Sequence, residues 1–346
     1  MHWFERIALR RIDDAAAKGE LAPRYAEFIG HEIQKAYLES YHDYGQNLFD
    51  RYIDYADAWI EDQDFKDPDT GQLLDRELLN QELTKIEKPA AVRAFPEILK
   101  VSDGIMVARG DLGVELPVHS VPPIQKRLTR ACRAAAKPVI VATQMLESMI
   151  SAPVPTRAEV SDVSIAVYEG ADAVMLSAES AAGDYPVEAV ETMDRIAVQV
   201  ERDPLYASII SAQRSTPEAT GADAVSLAAR QMAETLSVAA IVTYTSTGNT
   251  GLRTARERPL LPIIALSPKV ATARRLSIAW GLHCVVTEDA TDLEGMVDKA
   301  CRVAVEQELA RPGERVIVTA GVPLGTPGAT NMLRIAYIGS DGLSAV

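Results

Sequence analysis

The sequence Thr-Lys-Ile-Glu-Lys-Pro at 84–89, followed at 103–113 by Asp-Gly-Ile-Met-Val-Ala-Arg-Gly-Asp-Leu-Gly, decides how the rest of the chain is read. If 84–87 is a strand, its period of two turns Lys85 and Glu87 to the same side. The run 104–108 is apolar without alternation, the pattern of a strand buried on both faces. Asp111 then stands just past the tip of that strand. Two carboxylates on neighbouring strand tips are hard oxygen donors suited to Mg²⁺, and a lysine beside them suits a phosphoryl group. Either piece alone would pass for a surface Lys-x-Glu or a Gly-rich turn. The order of the strands and motifs downstream favours the site.

Working outward, the chain alternates strand and helix after Pro89. An amphipathic segment around 124–136 leads to a strand at 138–142, a helix over 156–169, a strand at 172–176 and a helix over 186–202. The candidate site residues fall at or just beyond strand C-terminal ends, as in a (β/α)₈ barrel. Four such strands are visible, which predicts a partial TIM-type barrel with apolar edges that need a cover. From about 219 a second α/β domain is predicted, with strands at 240–244, 262–266, 283–286, 315–319 and 332–338. Its loop Thr245-Ser246-Thr247-Gly248-Asn249-Thr250 is rich in hydroxyls and opens toward a helix, a plausible anion site.

Residues 1–66 have another character. Of the 19 aromatic residues, 12 lie there, and residues 1–90 carry −9 of the formal charge of −14. Tyr37, Tyr41, Tyr44, Leu48, Tyr52, Tyr55 and Trp59 recur at helical spacing and read as core packing. The predicted organisation is therefore an all-helical segment over 1–83, a partial barrel over 84–215 and an α/β domain over 216–346. Near the join, Leu79, Leu83 and Ile86 keep helical spacing, so local pattern extends a helix to Lys88 before Pro89 stops it. On a helix Lys85 and Glu87 would diverge by about 200°. The site needs the strand.

The acidic balance argues against nucleic acid or an anionic membrane surface as partner. No apolar run approaches the roughly 20 residues of a membrane helix, and no signal-peptide core follows Met1. Cys132, Cys284 and Cys301 are widely spaced and odd in number, as expected of buried thiols in a reducing compartment. A cytoplasmic location is expected.

The motifs at 85–90 and 103–113, together with Pro-Val-Ile-Val-Ala-Thr-Gln-Met at 138–145, Glu147-Ser148-Met149, Pro155-Thr156-Arg157-Ala158-Glu159-Val160-Ser161-Asp162 and Ala-Asp-Ala-Val-Met-Leu-Ser-Ala-Glu-Ser at 171–180, closely resemble pyruvate kinase. Ser-Ala-Glu-Ser at 177–180 stands where many members have Ser-Gly-Glu-Thr. The resemblance covers about 85–346. It implies phosphoryl transfer from phosphoenolpyruvate to ADP, giving pyruvate and ATP. It also implies Mg²⁺ on Glu87 and Asp111, Lys85 at the phosphoryl group, and a substrate pocket of Ala108, Arg109, Gly110, Asp111 and Thr143. Ser177 and Glu179 would help to relay the proton. The loop from Thr245 to Thr250 would take a phosphorylated effector, a sugar phosphate or a nucleotide, and association with further copies of the chain is expected. K⁺ belongs to the family, but the early strand bearing its ligands, the phosphate-binding arginine and the lid over ADP have no counterpart here. Impaired or absent turnover is expected, with an inactive phosphometabolite-binding module or a helical interaction module as the alternative.

The segment from His31-Glu32-Ile33 through Tyr44-Gly45-Gln46-Asn47-Leu48-Phe49-Asp50-Arg51-Tyr52 to Asp67-Pro68-Asp69-Thr70-Gly71 resembles a different family, the C-terminal region of PrkA-type serine protein kinases. No Gly-x-x-x-x-Gly-Lys-Ser/Thr occurs in the chain, so that kinase activity is not implied. The two resemblances meet at 85–90, which suggests a chimera joined at a shared Lys-Ile-Glu-Lys-Pro run.

Overall fold

A computed structural model of the chain describes residues 83–214, 216–290, 292–323 and 330–345. The helices, the turn at 67–71 and the cap at Asp75 expected in the first 82 residues lie outside them. Two compact units are present among the described residues: 142–165 with 174–202, and 83–141 with 166–173 and 203–345.

The larger unit opens with β1 (Leu83–Ile86), which pairs in parallel with β2 (Gly104–Ala108), placing Lys85 opposite Met106. The helical spacing upstream of Pro89 therefore gives way to extended backbone. Between these strands lie the short helices α1 (Pro89–Arg93) and α2 (Phe95–Val101), each with proline in its first turn, where a missing N–H costs nothing. Ser102 ends α2, donating its hydroxyl to the Ile98 carbonyl at 2.8 Å and meeting Thr84 Oγ1 at 2.6 Å, which ties β1 to the helix pair. All five residues of β2 are buried, as its unbroken apolar run requires. α3 (Arg109–Glu115) and α4 (Val121–Ala134) come next. Ile86, Ile105 and Val107 pack with Phe95, Leu112, Ile124, Leu128 and Cys132 into one core, with Val139 of β3 (Val139–Ala142). β4 (Ala173–Met175) completes a four-stranded sheet of order β1-β2-β3-β4.

The remaining part of this unit is a six-stranded sheet built on period-two alternation. Its strands are β5 (Ala240–Tyr244), β6 (Ile263–Ser267), β7 (Leu282–Val286), β8 (Arg315–Gly321), β9 (Thr330–Ile338) and β10 (Ser344–Ala345), in the order β10-β9-β8-β5-β6-β7. Strands β8, β5, β6 and β7 run parallel, while β9 is antiparallel to β8. Ala240, Val242, Ile264 and Leu266 face one side, against Met296, Val297, Ala300 and Ala304 of α12 (Leu293–Glu306). Ile241 and Ile317 face the other, against Ala229 of α9 (Gly221–Thr235). Ile263 and Ala265 share that side with Ala255 of α10 (Asn249–Arg256) and Leu276 of α11 (Val270–Leu276). One helix that the sequence pattern did not announce, α8 (Pro204–Ala212), is capped by Asp203, whose Oδ1 accepts from the Leu205 amide at 2.8 Å.

The smaller unit contains α5 (Arg157–Tyr168, as far as Ile165), the single turn α6 (Ala178–Ala181) and α7 (Pro186–Arg202). α7 buries Ala189, Met193, Ile196 and Val200, spacings of four, three and four that make one stripe. The start of α5 is a capping box. The Glu159 amide donates to Thr156 Oγ1 at 3.3 Å, and Glu159 Oε2 accepts from the Thr156 amide at 2.7 Å and hydroxyl at 2.8 Å. Glu159 also accepts from the Ser148 amide at 2.6 Å and hydroxyl at 2.5 Å, so one carboxylate joins the loop after β3 to the start of a helix. Burial alone would raise its pKa, but these hydrogen bonds from Ser148 and Thr156 hold it below the ordinary value of 4.5.

Ile317→Ala, at a fully buried position, is expected to cost about 2–5 kcal/mol in urea unfolding. Glu159→Gln is expected to cost about 1 kcal/mol at neutral pH. Because the folded pKa of Glu159 lies below the unfolded one, the charge contributes above the unfolded value and is lost as pH falls through the folded value. The gap between wild type and Glu159→Gln should therefore close on acidification; a gap that stays constant down to about pH 3 would contradict the assignment.

Candidate active site

Lys85 leaves β1 one residue before its buried end, Ile86, and Glu87 comes just beyond the strand. On the neighbouring strand, Ala108 closes β2 and Asp111 stands in the first turn of α3. Parallel pairing brings these tips together. Lys85 Nζ lies 2.8 Å from Glu87 Oε2 and 2.9 Å from Asp111 Oδ2, so two carboxylates converge on one ammonium. The side chains are partly open to solvent, 23% for Lys85, 35% for Glu87 and 49% for Asp111, which leaves the cluster reachable by a ligand. Burial alone would lower the Lys85 pKa, yet the hydrogen bonds and charges of Glu87 and Asp111 outweigh it and raise it, so Lys85 is a cation throughout the physiological range. Lys88 and Glu115 form a second pair at 2.7 Å beside the first.

The donors suit a hard divalent cation. Glu87 and Asp111 are the two carboxylates here that could offer oxygens to such a cation; among the described residues no group of three or more His, Cys, Asp or Glu side chains could hold a metal by itself. Mg²⁺ commonly takes one or two carboxylates and completes its shell with substrate and water. Arg109 is buried at the start of α3, with Nη1 3.4 Å from Gln125 Oε1 on α4, and Gly110 stands next to it.

The other expected residues belong to the smaller unit. Thr143 follows β3 with φ 69°, and Gln144 with φ 53°, a left-handed pair that is strained for a β-branched residue. The Thr143 hydroxyl donates to the Ala142 carbonyl at 2.7 Å. Glu179 is 2% exposed, with Oε1 accepting from the Leu146 amide at 3.1 Å and Oε2 from the Ser177 amide at 2.7 Å. Both of its oxygens thus tie the loop after β3 to the loop after β4. The strained backbone at 143–144 persists because the fold around it, including the buried Glu179 carboxylate, fixes the loop. Glu159 plays a similar bracing part, which the Thr-x-x-Glu spacing at 156–159 could have announced.

In the loop over 245–250, Thr245 Oγ1 accepts from the Gly248 amide at 2.9 Å, and Gly248 enters α10 at φ 93°. The Ser246 carbonyl accepts from Thr272 Oγ1 at 2.9 Å, the Thr247 carbonyl from Arg275, and the Thr250 and Thr330 hydroxyls meet at 2.7 Å. The loop is held by one internal hydrogen bond and by Thr272, Arg275 and Thr330 from outside it, with Asn249 at the first position of α10.

Residues 72–190 match the pyruvate kinase barrel domain and residues 223–336 the pyruvate kinase alpha/beta domain. Residues 14–97 match the PrkA serine protein kinase C-terminal domain, so the two families overlap over 72–97, around the Lys-Ile-Glu-Lys-Pro run. A pyruvate kinase of Methylorubrum extorquens is 62% identical over 256 residues, 74% of this chain and 54% of that protein. One from Agrobacterium vitis is 49% identical over 74% of this chain and 53% of that protein. Among solved structures, a pyruvate kinase from Cryptosporidium parvum superposes with a TM-score of 0.68 at 38% identity, covering 74% of this chain and 51% of that one. The chain spans about half the length of the curated relatives it matches. The shared residues include both the motif-bearing strands and the six-stranded domain, and by them the chain belongs, over its C-terminal three quarters, to the pyruvate kinase family, joined to a PrkA-like N-terminal segment.

Proposed function

We propose that the cluster of Lys85, Glu87 and Asp111 is a pyruvate kinase-type site for phosphoryl transfer from phosphoenolpyruvate to ADP. The observation that carries this reading is the convergence of both carboxylates on the Lys85 ammonium at adjacent strand tips, 2.8 and 2.9 Å away. Mg²⁺ on Glu87 and Asp111 would supply a Lewis acid that neutralises charge on the enolate and phosphoryl oxygens. Lys85 would stabilise the phosphoryl group as it leaves the enol oxygen for the terminal phosphate oxygen of ADP. Arg109, Gly110 and Asp111, beside Ala108 at the start of α3, would orient the substrate carboxylate, the role that the family resemblance also gives to Thr143. Enolpyruvate then takes a proton at its methylene carbon, a step in which Ser177 and Glu179 would position the proton source. With both oxygens of Glu179 engaged by backbone amides, its part is to hold the loop, and the hydroxyl of Ser177 is the better proton carrier.

Turnover of this chain should be strongly reduced. The strand bearing the K⁺ ligands, the phosphate-binding arginine and the lid over ADP would have to come from outside the residues matched to the family, and misplacement of about 1 Å can cost roughly 100-fold. We further assign the loop of Thr245, Ser246, Thr247, Gly248, Asn249 and Thr250 to a phosphorylated effector, and the chain to a fusion of two genes at the shared run around 85–90.

Pyruvate formation from phosphoenolpyruvate and ADP with Mg²⁺ and K⁺, monitored on the purified chain, tests the site. The expected result is a low rate that Asp111→Ala abolishes and Lys85→Met lowers by a factor of about 10²–10³ relative to wild type, the loss of one transition-state donor. A rate identical in wild type and Asp111→Ala would show that the motifs survive without a working site. Amplifying the source DNA across codons 70–110 checks the fusion: an unbroken product is expected, and a break there would place the join in the assembly of the gene.

A further inference from the structure

Away from the site just described, the larger unit contains a cavity of about 10 Å³ lined by arginines, room for one water-sized occupant. Arg133, from the last turn of α4, is 6% exposed; Arg256, which ends α10, is 8% exposed; Arg258, two residues on, is 3% exposed. Such side chains are almost never buried without partners for their charge and their N–H groups. Here the partners run short. Arg133 Nε, Arg256 Nε, Arg258 Nε and Arg258 Nη1 are buried and make no hydrogen bond.

Charge is unbalanced in the same place. Arg258 Nη2 donates to Asp172 Oδ1 at 3.0 Å and to the Gly170 carbonyl at 2.7 Å, and its guanidinium lies 4.6 Å from the centre of the Trp280 ring. Arg256 is paired through Nη2 with Asp223 at 2.9 Å and Glu257 at 3.2 Å. Among the described residues, the hydrogen-bond partner of Arg133 is neutral: Nη1 donates to Gln213 Oε1 at 3.0 Å. The single carboxylate lining the cavity, Asp172, is already occupied, by Arg258 and the Trp280 amide at Oδ1 and by the Val139 amide at Oδ2. Lys137, which also borders the cavity, turns its ammonium to the carbonyls of Leu99 and Lys100. Burial together with the nearby charge of Arg258 depresses the Arg133 pKa to about 10, which leaves it a cation at neutral pH.

The direction of the hydrogen bonds decides what fills a space of this kind. A water would accept from the guanidinium N–H groups but must also donate two hydrogens, and the lining offers one side-chain acceptor, an Asp172 that is already committed, the other side chains being donors or apolar. An occupant that only accepts, and that carries a negative charge, answers both deficits at once. A space of about 10 Å³ favours a monatomic anion over a polyatomic one. We infer that this cavity binds a monatomic halide, chloride in solution, held between Arg133 and Arg258 with Arg256 completing the donors.

The test uses the full chain, melted at constant ionic strength while sodium chloride replaces sodium gluconate, an anion too large for the cavity. A saturable rise in Tm is expected, about 3 °C at a chloride concentration ten times the dissociation constant, with no such rise in Arg133→Gln. Should Arg133→Gln fail to fold, ³⁵Cl line broadening on the wild-type chain, displaced by bromide, is the second readout, and it needs no variant. A Tm indifferent to chloride together with an unbroadened ³⁵Cl line would overturn the inference and leave water as the occupant. A chloride response that persists in Arg133→Gln would overturn the assignment of the site.

Discussion

The Lys85 ammonium can sit between Glu87 and Asp111 only if residues 83–86 are extended, and the reading of the whole site depends on that backbone choice. Local pattern points the other way, since Leu79, Leu83 and Ile86 keep the spacing of a helix. Magnitudes decide. Helix propensity distinguishes ordinary residues by a few tenths of a kcal/mol each. Pairing with β2 and full burial of Ile86 in the core of Ile105, Val107 and Leu112 is worth about 1.5–3 kcal/mol for that side chain alone. Pro89 adds to this, because no helix can pass through it without losing a hydrogen bond. Tertiary burial therefore overrides local periodicity at the one place where two sequence families overlap.

Much of the fold was legible for the same reason that β2 was. Unbroken apolar runs and apolar stripes are long-range instructions written locally, so the pattern places the strand at 240–244 and a helix from 186 to about 202, where the fold has them. Short elements are harder to find, because their signals are few and also suit turns. Gly110 and Gly113 made 109–115 look like a glycine loop, yet it is α3, held by Leu112 in the core. Asp203-Pro204 is an N-cap with a proline at the first helical position, and it opens α8. At the site, the grouping of Lys85, Glu87 and Asp111 could be anticipated because strand tips collect side chains. The bracing of loops by Glu159 and Glu179 could not be weighed so easily, since it depends on which amides each carboxylate meets.

Buried charge elsewhere in the larger unit obeys a stricter rule than at the open site. Asp223 is fully buried, yet the Glu218 amide at 2.7 Å, Arg256 at 2.9 Å and Arg253 surround it, and they outweigh burial to hold its pKa below the usual carboxylate value. Arg230 is shared by Glu234 at 2.6 Å and Glu257 at 3.4 Å. Such a network adds little net stability over an apolar core, but breaking it leaves a charge stranded, so it constrains how α9 and α10 pack more than how tightly. Against this background, Arg133 stands out, since among the described residues its hydrogen-bond partner is the neutral Gln213.

The tetrapeptide Glu169-Gly170-Ala171-Asp172 shows how little of this is visible in a motif. By pattern it is only the approach to β4. In the fold, Gly170 has φ 82°, and a Cβ there would lie 2.8 Å from Arg133 Cδ, so both backbone conformation and space exclude a side chain. Its carbonyl and the Asp172 carboxylate take Arg258 from 86 residues farther along the chain, and Glu169 takes Lys126 at 2.9 Å. Each residue is generic in sequence, because glycine, aspartate and glutamate suit any turn. Their roles exist only once α4, the approach to β4 and the end of α10 have been brought together, and the arginines that meet there cannot be paired off from spacing along the chain. The strand tips around Lys85 announce a site because neighbouring strands bring a fixed set of residues side by side; the arginine cavity arises from three segments with no shared period, and only the assembled fold reveals it.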